Sequence, residues 1–178
     1  MNATDTPIVV GVDESEEAAR ALRWAAAQAT GEHRPVRAVY AWTVPPGWGP
    51  DTADLRRSGA IIRTPAPLEP DPAWVEQQAD ILAALQSEAD QTLERAVHAA
   101  LGDVPGDVDL RLEAVRGHAR DVLVDESRHA HLLVVGSRHH TRTSAGLLGS
   151  VSHHCCLHAG CPVVVIPVAA EVPATADR

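Results

Sequence analysis

The chain alternates between short apolar runs and longer stretches in which apolar residues recur at helical spacing. Short apolar runs bounded by Gly or Pro indicate buried strands, whereas apolar residues at every third or fourth position indicate amphipathic helices. The predicted strands cover residues 7–12, 36–42, 108–115, 132–135 and 161–168. The predicted helices cover residues 15–30, 74–101 and 119–128, and a fourth begins at Gly149 and Ser150. We expect Gly31 and Gly102 to end the first two helices.

Five predicted strands alternate with four predicted helices. This alternation predicts an α/β fold, a doubly wound five-stranded parallel sheet with helices on both faces and strand order 3-2-1-4-5. The helix over residues 74–101 should bury one stripe. That stripe consists of Val75, Ala79, Leu82, Leu85, Ala89, Leu93, Ala96 and Ala100.

The first and fourth strands are each followed by a residue of interest. In doubly wound sheets the ligand lies at the carboxyl ends of the strands, where strand order reverses. In the expected order this reversal lies between strands one and four. Asp13 follows the first strand and Gly136 the fourth. Both are therefore expected in one crevice.

The stretch from Gly136 to Ser150 has the character of a phosphate site. Its loop contains Arg138, His139, His140 and Arg142, and Gly149 and Ser150 then open a helix whose N-terminus favours anions. The chain carries a net charge of -9, yet no Asp or Glu occurs between Glu126 and Glu171. Buried strands and a packed helix would also lack carboxylates, but this alternative leaves the arginines and histidines of the loop unexplained.

Composition narrows the class of protein. A chain of 178 residues, 45% of them hydrophobic, predicts one domain over residues 1–178 with its own core. The polar N-terminus and the absence of a long apolar run predict a soluble, cytoplasmic protein without membrane contact. The acidic balance argues against nucleic-acid binding, and three cysteines do not make a disulfide framework.

The chain contains no lysine, since all fifteen basic residues are arginine. A Walker A loop, a kinase fold and a Schiff-base enzyme each require a lysine. These chemistries are therefore excluded.

Residues 43–72 form a proline-rich insert with seven of the thirteen prolines. It is longer than usual connections, so we interpret it either as a disordered surface loop or as a lid. Because it follows strand two, it leaves the sheet beside the expected crevice. A lid could bring Trp48 over a ligand.

The sequence HHCCLHAGC, residues 153–161, is dense in metal-ligand types but lacks zinc-site spacing. His154 and His158 can share one helix face, whereas Cys155 and Cys156 cannot both join them. We therefore predict no metal site and interpret the cysteines as small residues packed on a core helix.

Several segments together resemble the universal stress protein family over essentially the whole chain apart from the insert. They are IVVGVDES in the first strand, DVLVDESRHAHLLVVGSR, and GLLGSVS before CPVVVIP. Nucleotide-binding members carry Gly, two residues, Gly, nine residues, Gly and Ser or Thr. Gly136, Gly149 and Ser150 match this spacing, and His139 occupies the second glycine position.

The resemblance implies a stress-response domain that often binds ATP, with or without Mg²⁺, and often forms a homodimer. Carried over by position, Val12, Asp13 and Ala41 would lie near adenine and ribose. Gly136, Gly149 and Ser150 would hold the ribose and phosphates, with Val151 and Ser152 nearby. The charge of the loop adds Arg138 and His139 as candidate site residues.

Alternatives remain open from the residues themselves. Asp13 can instead cap the first helix, and His139 can strain the loop or occupy phosphate space. Three functions follow: an ATP-binding regulatory module, a dimeric interaction protein without nucleotide, and a slow ATPase or metal-dependent enzyme. The residues offer no obvious general base or lysine clamp for rapid phosphoryl transfer.

Residues 161–168 would form an apolar sheet edge, which predicts a homodimer through that strand with Pro162 and Pro167 limiting the register.

Overall fold

The computed structural model describes residues 6–44, 72–102, 108–137 and 148–167. Within them five parallel strands form one sheet in the order β3-β2-β1-β4-β5. The strands are β1 (Ile8–Gly11), β2 (Val36–Trp42), β3 (Leu110–Arg116), β4 (Leu132–Gly136) and β5 (Val163–Ile166). The helices are α1 (Glu16–Glu32), α2 (Pro72–Leu101), α3 (Ala119–Ser127) and α4 (Ser150–His158). The predicted fold class and strand order are confirmed.

Each face of the sheet is covered by two helices. One core lies under α1 and α2 and includes Ile8, Val10, Leu22, Leu93 and Val134. The other lies under α3 and α4 and includes Val9, Val39, Leu123, Leu133 and Cys155. Successive strand residues alternate between the two cores because side chains of a strand point to opposite faces. β1 is buried on both faces, which explains its continuous apolar run.

The end of α1 differs from the prediction. The helix continues through Gly31 to Glu32, and His33 adopts the left-handed conformation with φ of 53°. The amide of His33 donates to the carbonyl of Ala29 and closes the last turn. Histidine tolerates this conformation better than β-branched residues do. Gly102 does end α2 as predicted, with φ of 63° and its amide donating to the His98 carbonyl at 2.8 Å.

Only the second half of α2 is core. Ala89, Leu93 and Ala100 are buried as predicted, whereas Ala79 is exposed. The helix has 30 residues and its neighbour β2 has 7. At a rise of about 1.5 Å per helical residue and about 3.3 Å per strand residue, the helix is about twice as long as the strand. Its first turns therefore extend beyond the sheet.

Strand β5 is shorter than predicted. It covers Val163–Ile166, with Pro162 and Pro167 directly outside it. Proline lacks the amide that a strand donates, which limits the pairing at both ends. β5 lies at one edge of the sheet and all four of its residues are half-buried.

Several predicted features lie outside the described residues. They are most of the insert, the loop with Arg138 and His139, and Val168. Among the described helices, none is long and apolar enough to cross a membrane.

Candidate functional site

A cavity of about 240 Å³ opens at the carboxyl edge of the sheet, between the ends of β1, β2 and β4 and the first residues of α3 and α4. It lies where the strand order reverses. The predicted site residues that line it are Val12, Asp13, Ala41, Gly136, Gly149, Ser150, Val151 and Ser152. The other two, Arg138 and His139, lie outside the described residues. The structure therefore brings together residues that are far apart in sequence.

The turn between β1 and α1 is organised by Asp13 and Ser15. Ser15, not Asp13, is the N-cap of α1, and its hydroxyl accepts a hydrogen bond from the amide of Ala18 at 3.2 Å. Oδ1 of Asp13 accepts from the amide of Ser15 at 2.9 Å and from the Ser15 hydroxyl. The Asp13 carboxylate is thus fixed at the wall of the cavity. It does not cap α1 itself but holds Ser15, the residue that does.

The N-terminus of α1 is poorly suited to an anion. Ser15 caps it, and Glu16 and Glu17 occupy its first turn. Glu16 reaches along the helix, where Oε1 lies 2.7 Å from Nη2 of Arg23 and 3.6 Å from Nε of Arg20. The amide of Ala18 is therefore already bonded, and the two carboxylates of the first turn oppose an anion at the positive end of this helix.

The N-terminus of α4 is different. Its N-cap is Gly149, which offers no side-chain hydrogen bond, and its first turn contains no acidic residue. Ser150 is exposed at this end. Ser152 is buried and its hydroxyl donates to the Gly149 carbonyl at 3.0 Å, so it shapes the helix start. The uncapped amides and helix dipole at this end favour negative charge.

Much of the rest of the cavity lining is apolar. It includes Val39, Val135 and Leu123, together with the small residues Ala41 and Ala119. A Cβ atom at Gly11 would lie 2.8 Å from Cδ1 of Leu123, so a larger residue there would displace that side chain. The lining thus combines apolar surface, which suits a planar apolar group, with the N-terminus of α4, which suits an anion.

Sequence reasoning missed part of this lining. The missed residues are Gly11, Ser15, Ala18, Val39, Tyr40, Ala119, Leu123 and Val135. Gly11 within an apolar strand carried a signal, because an isolated strand glycine often marks a close approach. Leu123 carried none, since nothing local distinguishes it from other core leucines.

Gln86 of α2 holds the end of β2 beside the cavity. Its Oε1 accepts from Nε1 of Trp42 at 3.2 Å, and its Nε2 donates to the Ala114 carbonyl of β3 at 3.0 Å. This residue ties two strand ends to one helix, and Trp42 directly follows the cavity residue Ala41.

The cysteines differ in environment. Cys155 is fully buried, and burial raises the pKa of its thiol to about 11. Cys161 is partly buried, with its pKa also raised by burial. Cys156 is exposed, so the prediction that the cysteines pack in the core is wrong for this residue. No group of three or more metal-ligand side chains occurs in the part of the chain that the structure describes.

A model of the universal stress protein family matches residues 6–60 and 61–167. The chain belongs to the universal stress protein family. The universal stress protein Rv2623 of Mycobacterium tuberculosis is 34% identical over 159 residues, which is 89% of this chain and 46% of the relative. A universal stress protein of Mycolicibacterium smegmatis is 30% identical over 93% of this chain and 49% of the relative. The chain spans about half the length of these relatives.

Solved structures of the family share the fold. A universal stress protein from Archaeoglobus fulgidus is 28% identical, with a TM-score of 0.55 over 90% of this chain and 93% of that one. UspA from Lactobacillus plantarum has 21% identity and a TM-score of 0.59 over 93% of this chain and 99% of that one.

Proposed function

We propose that this universal stress protein binds an adenine nucleotide, with ATP as the first candidate, in the crevice between Asp13, Gly136 and Ser150. Binding would serve a cytoplasmic regulatory or stress-response role. The observation that carries the proposal is the contrast between the two helix N-termini at this crevice: the Ser15 side chain caps α1, whereas the N-cap residue of α4 is Gly149, which has no side chain to do so.

The apolar part of the cavity lining suits the base. Val12, Val39 and Leu123 offer apolar surface, and Ala41 leaves room at the end of β2. Asp13, held by Ser15, offers carboxylate oxygens on the same wall. A carboxylate accepts hydrogen bonds and so pairs with the hydroxyls of a ribose or the amino group of adenine.

The N-terminus of α4 suits phosphate. Gly149, Ser150 and Val151 begin this helix at the wall of the cavity. The loop before them contributes Arg138 and Arg142 in sequence, and arginine is well suited to phosphate recognition. Mg²⁺ could accompany the phosphates, because carboxylates and phosphate oxygens are its preferred ligands. The absence of lysine favours binding over rapid phosphoryl transfer.

Two solved structures of similar fold are described as complexes with adenine nucleotides, which agrees with this choice of ligand. One is a universal stress protein in complex with cAMP, at 21% identity and a TM-score of 0.52. Another is the Archaeoglobus fulgidus protein in complex with dAMP, at 24% identity and a TM-score of 0.53. Both ligands contain adenine, which supports an adenine nucleotide for this chain.

Two measurements test the proposal. The purified protein is incubated with ATP, freed of excess nucleotide and denatured, and the released ligand is identified by chromatography, which also reveals hydrolysis. Titration calorimetry then compares the wild type with Ala41→Leu, which fills the cavity without changing charge. Ala99→Leu on the exposed side of α2 is the matched control.

We expect ATP to bind the wild type and the Ala99→Leu variant equally, and the Ala41→Leu variant at least ten times more weakly, about 1.4 kcal/mol. Equal binding by all three proteins would place the nucleotide elsewhere. If no nucleotide is retained or titrated, the proposal fails for this chain.

A second function without nucleotide is favoured by His139, which stands where nucleotide-binding members carry glycine. In that case the chain would act as a dimeric interaction protein. Dimerisation is proposed for either function, because β5 presents four half-buried apolar residues at a sheet edge. Failure of ATP to bind, combined with a dimeric mass, would favour this second function.

A further inference from the structure

His154 and His158 meet on one side of α4. They are one helical turn apart, their ring centroids lie 4.4 Å from each other, and the ring planes are inclined by 47°. His158 is exposed and His154 is half-buried. Side chains four residues apart share a helix face. The two imidazoles therefore lie close enough to be considered as ligands of one ion.

We propose that this histidine pair binds a divalent transition-metal ion that prefers imidazole, namely Zn²⁺, Ni²⁺ or Cu²⁺. Histidines at this spacing on one helix face are ligands in zinc metalloproteases. With metal–nitrogen bonds of about 2.0–2.1 Å, two imidazoles on one ion have ring centroids about 5 Å apart. The observed separation of 4.4 Å is close to this value.

The end of the helix favours a cation. His158 lies in the last turn of α4, where the helix dipole is negative. Since no third described ligand completes the set, water would fill the remaining positions. The site is separate from the nucleotide crevice, which adjoins the opposite end of the same helix.

The alternative is that the rings merely pack against each other. Titration calorimetry with Ni²⁺ separates the two ideas by comparing the wild type with His154→Ala and His158→Ala. His153→Ala is the matched control, because His153 is exposed on the same helix and the residue four positions later is Leu157. We expect each test variant to bind roughly tenfold more weakly or worse, since loss of one ligand removes the chelate, and the control to bind as the wild type does.

A second readout is the thermal unfolding midpoint. Ni²⁺ that binds only the folded helix should raise the Tm of the wild type and of His153→Ala but not of His154→Ala or His158→Ala. A Cys156→Ser variant that retains binding would support imidazole ligation. Undiminished Ni²⁺ binding in both test variants, or loss of binding only in Cys156→Ser, would overturn the proposal.

Discussion

Gly136 at the end of β4 lies directly against the backbone of Glu17 in the first turn of α1. A Cβ atom at position 136 would lie 2.8 Å from Cβ and 3.0 Å from the carbonyl carbon of Glu17. Real Cβ atoms do not approach other atoms so closely, and a helix backbone cannot move aside as a flexible side chain can. Glycine at this position therefore lets α1 dock onto the strand that leads into the proposed phosphate loop.

Replacement of Gly136 by Ala should destabilise the protein by about 1–3 kcal/mol, the usual cost of overpacking, and should weaken ATP binding because α1 and β4 both border the crevice. Urea unfolding and calorimetry measure the two effects. Gly31→Ala is the control, because nothing lies within 4 Å of the added methyl group and the position is helical. It should stabilise the protein by about 0.5–1 kcal/mol. Equal effects of both changes would contradict the packing argument.

Replacement of His139 tests the role of this residue in the proposed phosphate loop. If it strains or obstructs the loop, His139→Gly should strengthen ATP binding by up to about 1 kcal/mol, somewhat less than tenfold. If it donates to phosphate instead, the change should weaken binding, and the affinity of the wild type should rise as pH falls through the histidine range. We expect obstruction. Calorimetry of both proteins near pH 6 and pH 8 distinguishes the two, and weaker binding by the glycine variant at both values would refute obstruction.

The outer edge of β5 gives a test of dimerisation. The carbonyls of Pro162 and Ile166 accept hydrogen bonds from β4, at 3.0 Å from Leu133 and 2.8 Å from Ser137. Alternate residues point their amides outward, so Val165 presents an amide at the edge. Val165→Pro should convert a dimer to a monomer while it leaves the β4–β5 bonds in place. Light scattering at micromolar concentration measures the mass, circular dichroism checks the fold, and a monomeric wild type would rule out this interface.

The lowered pKa of Glu32 should make part of the free energy of unfolding sensitive to acid. Hydrogen bonds lower the pKa of its carboxyl, first from Gln28 and then from Arg34, at 2.5 Å and 3.0 Å. Because the folded pKa lies below the unfolded value of about 4.3, the stabilisation is complete above that pH and is lost as pH falls through the folded pKa. In the Glu32→Gln variant, the free energy of unfolding measured with urea should therefore fall less between neutral and acid pH than it does in the wild type.

The matched control for that experiment is Glu88→Gln on the exposed side of α2. It should leave the difference in stability between neutral and acid pH close to that of the wild type. If both variants reduce the loss of unfolding free energy at acid pH to the same extent, the local hydrogen bonds of Glu32 are not the cause.

The thiols should react in a fixed order. Burial raises the pKa of Cys155 to about 11, so at neutral pH it is both inaccessible and protonated. Iodoacetamide should modify the exposed Cys156 first and Cys155 only after unfolding in denaturant. Peptide mass spectrometry identifies the modified residue over time. Modification of Cys155 in the native protein as fast as that of Cys156 would disprove its burial.

Much of the fold could be predicted because it rests on local patterns. Apolar runs such as Leu132–Gly136 and helical spacing in α1 identify the elements, and their strict alternation restricts the topology to a parallel sheet. The carboxyl ends of parallel strands share one edge, so the sequence is enough to assign Asp13 and Gly136 to one crevice. That part of the cavity lining follows directly from strand order.

The remaining features depend on contacts between elements, which no local pattern contains. Ser15 rather than Asp13 caps the N-terminus of α1, and its C-cap is His33 rather than Gly31. Leu123 lines the cavity because α3 packs over Gly11. The suitability of α4 rather than α1 for an anion likewise depends on which amides are already bonded. The sequence by itself determined the elements and the edge at which they converge. Tertiary packing decided which groups at that edge are left to meet a ligand, because hydrogen-bond partners and close approaches are set by distance in space rather than by position along the chain.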